Sequence, residues 1–176
     1  MTRSALRLAL PIIELGAVRL RPWDLGDAPA LLNAWSDPSI TEHSEPPVDR
    51  SLSGAEHWIK GARERCRVGL AIDLVVAAAD DDRVVGEVGL SSIDPRRRAA
   101  LVGWWVAGVE RGGGFGAVAV RGLLDWVYTD TGLEVVVAEI SVDNHASWRV
   151  AQACGFEVLR EPTTERHGVM ACRRKS

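Results

Sequence analysis

The residues best placed to do chemistry lie in one short segment, Val106-Ala107-Gly108-Val109-Glu110-Arg111-Gly112-Gly113-Gly114-Phe115-Gly116-Ala117. A β-forming run enters it and a helical pattern leaves it. Glycine tolerates positive φ and lets the backbone approach a ligand closely. The first N–H groups of a helix have no partner inside it, and the helix dipole adds partial positive charge. Together these features make a cradle for phosphate or pyrophosphate, with Arg111 adding charge at the rim. The segment is not a P-loop, because no Gly-Lys-Ser/Thr follows. Nor is it a dinucleotide fingerprint. The strand before it belongs to a meander, and no βαβ unit supplies a ribose-binding acid. Taken alone, four glycines within five residues also fit a flexible loop.

Proton-transfer candidates are scattered. Glu87 falls on the second strand of the meander and can face a cleft beside it. Glu139 and Asp143 share one face of a later strand by alternation. His43 sits in an irregular stretch, Thr41 to Asp49, with Glu42 and Glu45, whose charge would attract a cation. His57, His145 and His167 are further potential bases, although helix direction points His145 to solvent. Each of these groups is an ordinary surface residue unless a fold brings it to a site. Cys66, Cys154 and Cys172 are far apart and form no CxxC pair. That predicts neither a zinc site nor a disulfide framework, and a reducing cytoplasm as the setting. Cys154 reads as a packing residue, since no histidine is spaced to activate it. Trp104 and Trp105 alternate faces, so one belongs to the core and the other can line a cleft.

The elements that must hold these groups follow from periodicity. Val18 to Arg21 alternates as a half-buried strand that Pro22 stops. Asp24 or Asp27 caps a helix to about Trp35. Ser51 or Ser53 opens a second, to about Cys66, with Ala55, Trp58, Ile59 and Ala62 on one face. Leu70 to Ala79 is apolar apart from Asp73 and suits a central strand. Arg83 to Ile93 and Ala99 to Val106 complete an antiparallel meander. Ala117 to Asp130 is a helix and Leu133 to Val142 a strand. A short helix, Ala146 to Cys154, stops at Gly155, and two strands finish the chain. The order β-α-α-β-β-β-α-β-α-β-β predicts a mixed α/β layer fold with about seven strands and four helices.

Composition sets the outer bounds. The chain has 176 residues, a net charge of -3 and 47% apolar residues, ordinary values for one globular domain. No apolar run reaches the length of a membrane span. The acidic balance argues against nucleic acid as a partner. Residues 1–15 resemble a signal peptide only faintly, because Pro11 and Glu14 break the apolar run. They read as a loosely structured arm.

Several segments resemble the GNAT superfamily of N-acetyltransferases, in particular its RimJ/RimL-like branch of ribosomal-protein acetyltransferases. Arg111-x-x-Gly114-x-Gly116 matches the R/Q-x-x-G-x-G/A signature. Arg19-Leu20-Arg21-Pro22 with Asp27-Ala28, Trp35-Ser36-Asp37-Pro38, Val85-Gly86-x-Val88-Gly89-Leu90 with Ile93-Asp94, Gly103-Trp104-Trp105-Val106, and Asn144-x-x-Ser147 ending in Gly155-Phe156 fit the branch in register. The resemblance covers nearly the whole chain from Val18.

It implies a central, mostly antiparallel sheet that splays beside Val106 into a V-shaped cleft. Acetyl-CoA would be the co-substrate, with no metal. The backbone of Trp105, Val106 and Ala107 would meet the pantetheine arm, and the amides of Gly112, Gly113, Gly114, Phe115, Gly116 and Ala117 the pyrophosphate. Asn144 would face the arm from the opposite wall. Ser147 would lie near the thioester sulfur as candidate acid. Glu165, placed after the Gly-Phe turn, and Glu87 are the candidate bases. Two positions depart from the family: Leu101 stands near where a glutamate is common, and Gly113 where a basic residue is common. The implied activity is acetyl transfer to a primary amine, either a protein N-terminus or a small amine, by direct attack in a ternary complex. The rival reading is a non-catalytic acyl-CoA-binding module. Neither nucleic acid nor membrane is expected as a partner. A homodimer through the terminal strands is compatible with the pattern.

Overall fold

The computed structural model describes residues 6, 8–44 and 46–174. Among the described residues, eight strands form a single sheet in the order β1-β2-β3-β4-β5-β6-β8-β7. They are β1 (Ile13–Glu14), β2 (Val18–Pro22), β3 (Ala71–Ala78), β4 (Val84–Asp94), β5 (Ala99–Val106), β6 (Val135–Ile140), β7 (Glu157–Arg160) and β8 (Gly168–Arg173). Five α-helices accompany them among the described residues: α1 (Ala28–Ser36), α2 (Pro38–Thr41), α3 (Leu52–Arg67), α4 (Phe115–Trp126) and α5 (His145–Ala153). The mixed α/β architecture expected from the sequence is present, with one strand and one short helix more. β1 is two residues long, too short for alternation to reveal. In α2, Pro38 opens a new turn instead of only ending α1, and Asp37 caps it by accepting from the Ser39 N–H at 2.9 Å.

The two faces of the sheet carry separate cores. On one, α4 sets Val120, Leu123 and Leu124 against Leu74, Val88 and Leu90. On the other, α1 and α3 pack Leu31, Trp35, Ala55 and Ile59 against Trp23, Val75 and Ala77. In α3 the buried residues Ala55, Ile59, Ala62 and Cys66 recur at helical spacing, and the Ser51 hydroxyl caps the helix by accepting from Gly54 N–H at 3.0 Å. The helix after β5 is shorter than its pattern suggests. It passes into a π-helical turn, Val127–Thr131, which Gly132 stops at φ +83°.

The segment before β2 is tied down where it is described. Leu8, Leu10, Ile13 and Leu15 pack on the α4-side core. Residues 1–5 and 7 lie outside the described residues. Arg21 and Asp27, both from the resemblance motifs, form a bidentate ion pair at 2.7 and 3.0 Å. The same Asp27 carboxylate accepts from Asp24 N–H at 2.9 Å, so it closes the turn that leads into α1.

One irregularity creates the site. All neighbouring strands run antiparallel except β5 and β6, which pair in parallel over only Ala99–Leu101 and Val135–Val137. Beyond Leu101, β5 stays with β4 as far as Val106, while β6 stays with β8 as far as Ile140. The two strands part, and their facing edges keep unpaired backbone groups.

Candidate active site

The gap between β5 and β6 opens into a cleft of about 970 Å³ that runs through the sheet. Its floor at one end is the turn from β5 into α4. Gly112 and Gly114 hold φ of +87° and +76°, a backbone region that side chains disfavour. A Cβ at either position would meet nothing within 4 Å, so the space above them is open. The first backbone bond of α4 is Val118 N–H to Gly114 C=O at 3.2 Å. The N–H groups of Phe115, Gly116 and Ala117 therefore have no acceptor within the helix. Gly116 is buried, and a Cβ there would make ordinary contact, at 3.5 Å, with both Val106 and Val150. Gly113 has the Phe115 ring against it, and a Cβ would come within 3.0 Å of that ring. The missing basic side chain at this position thus has its space taken by an aromatic one.

Most of the residues assigned to the coenzyme from the sequence meet in this cleft. Trp105, Val106, Arg111, Gly112, Gly114, Phe115, Gly116, Ala117, Asn144 and Ser147 all line it, whereas Ala107 and Gly113 do not. Arg111 lies along the end of β5 and donates from Nε to the Val106 carbonyl at 3.1 Å. The opposite wall begins at α5. Asn144 caps that helix, its Oδ1 accepting from Ser147 N–H at 3.1 Å. The cap uses the Ser147 amide and not its hydroxyl, and Ser147 is among the residues that line the cleft.

The other end of the cleft lies on the α1–α3 side of the sheet and carries the acids. Glu42, Glu87, Glu139 and Asp143 line it, together with His43 and His167. His43 Nδ1 lies 3.1 Å from Ser141 Oγ, which ties the loop after α2 to the end of β6 and roofs the opening. The Asp143 carboxyl is held below its ordinary range, chiefly by the Ser141 hydroxyl and its own backbone, with the charges of His43 and His145 adding to this. Glu45 lies outside the described residues.

Glu87 behaves in the opposite way. Burial pushes its carboxyl up to about 8, and the like charge of Asp73 adds to the rise. Arg65 and the indole N–H groups of Trp23 and Trp105 pull it part of the way back. The Trp23 Nε1 has no partner at full hydrogen-bond geometry, although it is buried. Glu165 is exposed in the turn between β7 and β8, outside the cleft lining, while His167 two residues later reaches the cleft. His57 is exposed on α3. Cys154 donates to the Ala117 carbonyl at 3.4 Å, and burial raises its thiol. That suits packing, not nucleophilic chemistry.

Two features of this end were not legible in the sequence: the His43–Ser141 tie and the groups behind Glu87. The lone charge of Asp73 in an apolar strand was the available signal for the second. The first had none, because its partners lie 98 residues apart.

A family model for the acetyltransferase (GNAT) domain matches residues 17–157. The chain belongs to the GNAT acetyltransferase family. It is 27% identical over 138 residues to the uncharacterized N-acetyltransferase p20 of Bacillus licheniformis, covering 78% of each chain. Its fold is similar to that of Mycobacterium smegmatis RimJ, solved in complex with CoA-disulfide, with a TM-score of 0.77 and 23% identity over 98% of this chain and 88% of that one. It is also similar to the ribosomal-protein-S5-alanine acetyltransferase from Vibrio fischeri, with a TM-score of 0.80 and 19% identity over 93% and 96% of the two chains.

A GNAT acetyltransferase takes its acetyl group from acetyl-CoA and passes it to an amine. The glycine turn fits such a donor. Free amides and open space occur together above Gly112 and Gly114, and backbone donors of this kind suit a diphosphate. Among the described residues, no helix is long and apolar enough to cross a membrane.

Proposed function

We propose that this acetyltransferase works by direct attack of a primary amine within a ternary complex, with Glu87 as the base. The observation that carries this reading is the place of Glu87. It faces the acceptor end of the cleft, on the strand beside β5, with a carboxyl that holds its proton up to about pH 8. A base is most effective when its pKa lies near that of its task. An α-amino group has a pKa of about 7.7–8.0, so Glu87 is matched to a protein or peptide N-terminus more closely than to a lysine side chain.

The other groups take supporting roles. The acetyl thioester supplies the activated carbonyl. The amides of Phe115, Gly116 and Ala117 with those of the glycine turn hold the diphosphate, and Arg111 adds positive charge beside them. A backbone N–H near Val106 offers a donor to the carbonyl oxygen as charge develops there. The Ser147 hydroxyl hands a proton to the departing sulfur. Glu42, Glu139 and Asp143 draw a cationic amine to its end of the cleft.

This reading takes residues 1–176 as one acetyltransferase domain acting in the cytoplasm without a metal. The exposed edge strand β7, with Val158 and Leu159 outward, supports pairing with a second copy. The deciding experiment is a thiol-release screen with acetyl-CoA over ribosomal N-terminal peptides, polyamines and aminoglycosides. Turnover with one class names the acceptor. Tight acetyl-CoA binding with no CoA release from any class would make the protein a binding module instead.

A further inference from the structure

Asp73 is the only charged residue in β3, a central strand whose other residues are apolar. Burying a carboxylate there costs free energy that an apolar residue would spare. Its partner comes from the last turn of α3. Arg65 donates from Nε to Asp73 Oδ2 at 2.9 Å, and its Nη2 lies 2.9 Å from the same oxygen. Nη1 donates to the Trp58 carbonyl at 3.0 Å, and the guanidinium lies 4.2 Å from the centre of the Trp58 ring. Trp58 stands edge-on to Trp23 at 6.0 Å, and Trp23 leans on Trp105 at 6.4 Å. Trp105 is the cross-strand partner of Glu87. On the other side Glu87 pairs with Val75, so Asp73, two residues along β3, shares its face of the sheet. The groups that face Glu87 are thus Asp73 from β3, Arg65 from α3, Trp23 from the turn before α1 and Trp105 from β5. Trp23 is 7% exposed, and its indole N–H acts on this carboxyl while falling short of full hydrogen-bond geometry.

We propose that Arg65 and Asp73 are a positioning pair that acts through Glu87, fixing the aromatic wall beside it and setting its charge without touching either substrate. The inference rests on Glu87 as the base, but it can fail separately. Asp73 opposes a negative Glu87 and Arg65 favours one, so neutralising them must move Glu87 in opposite directions. A pair that served packing alone would not produce opposite shifts.

The test is a carbon-13 carboxyl NMR titration of the full-length protein, with the Glu87 resonance assigned by its loss in Glu87→Gln. Beside it runs the pH profile of kcat. In Asp73→Asn, the Glu87 midpoint and the rising limb of kcat are expected to move down by about one pH unit. In Arg65→Gln both are expected to move up by a similar amount, and Arg65→Lys should restore most of the wild-type position. Unmoved midpoints, or shifts of the same sign in Asp73→Asn and Arg65→Gln, would overturn the proposal. Should Asp73→Asn fail to fold, Arg65→Gln and Arg65→Lys carry the test, with an upward shift and its reversal expected and no shift overturning it. If the midpoints move as expected while Glu87→Gln keeps its full rate, the pair stands and the assignment of the base falls.

Discussion

Glu87 on β4 stands directly across from Trp105 on β5, at the level where β5 has already parted from β6. The backbone of Trp105 lies at the open edge that faces the donor, while its ring and the Glu87 carboxyl lie on the acceptor side. One cross-strand pair therefore joins the two halves of the cleft. This arrangement suits a reaction in which an amine must lose a proton and meet a carbonyl at the same place.

If Glu87 is the base, Glu87→Gln should lower kcat by about 100- to 10,000-fold while leaving the acetyl-CoA Kd within about twofold. In the wild type kcat should rise with pH up to about 8 and then level off, because only the ionised carboxyl accepts a proton. Steady-state rates across pH 6–9 and calorimetry check both. Glu165→Gln tests the rival position, and a larger loss there would move the base to the turn between β7 and β8.

The same carboxyl makes stability depend on pH. Below its ordinary value, about 4.3, Glu87 is neutral in folded and unfolded chains alike. Between there and about 8 the folded chain keeps a proton that the unfolded chain releases, so each rise in pH favours unfolding. The stability linked to the neutral form is full at low pH and lost as pH climbs through about 8. Glutamine carries no such proton. Glu87→Gln should raise Tm over the wild type at pH 8 and by much less at pH 4.5. Equal differences at both pH values in thermal melts would show that the carboxyl is not shifted.

Gly114→Asp should weaken acetyl-CoA binding at least about tenfold, or about 1.4 kcal/mol. It forces a side chain into left-handed backbone and sets a negative charge among the free amides of α4. Gly114→Ala separates the causes. It carries the strain without the charge, and the open space around Gly114 spares it any collision. Calorimetry should therefore show a smaller loss for alanine than for aspartate.

Ser147→Ala should slow turnover by roughly tenfold or more with little change in coenzyme Kd. The α5 cap survives, because Asn144 holds the Ser147 amide and not its hydroxyl. An unchanged kcat would leave Ser147 with only its place in the helix.

The most local features were legible in the sequence. Gly112 and Gly114 marked the turn because backbone conformation is set within a few residues. The helix over Leu52–Arg67 and the strand over Ala71–Ala78 showed in their periodicity. Glu87 was legible as a carboxylate able to face a cleft, but so were Glu139 and Asp143, and nothing in their patterns ranked them. Glu165 was placed by resemblance alone, and the turn that holds it points it to solvent. The Arg65–Asp73 pair was hidden because its meaning depends on Trp23 and Trp105, which arrive from distant segments.

The sequence by itself determined most of the segments that become helix or strand, where the chain turns tightly and which amides are left free at the start of α4. Those properties depend on neighbours a few bonds away. Tertiary structure alone decided that β5 and β6 separate after Leu101 and that the half-buried Glu87 carboxyl is pushed up to about 8. A strand has the same residue pattern whether its edge is paired or open. A carboxyl group has its ordinary acidity until packing removes its water and sets other charges beside it.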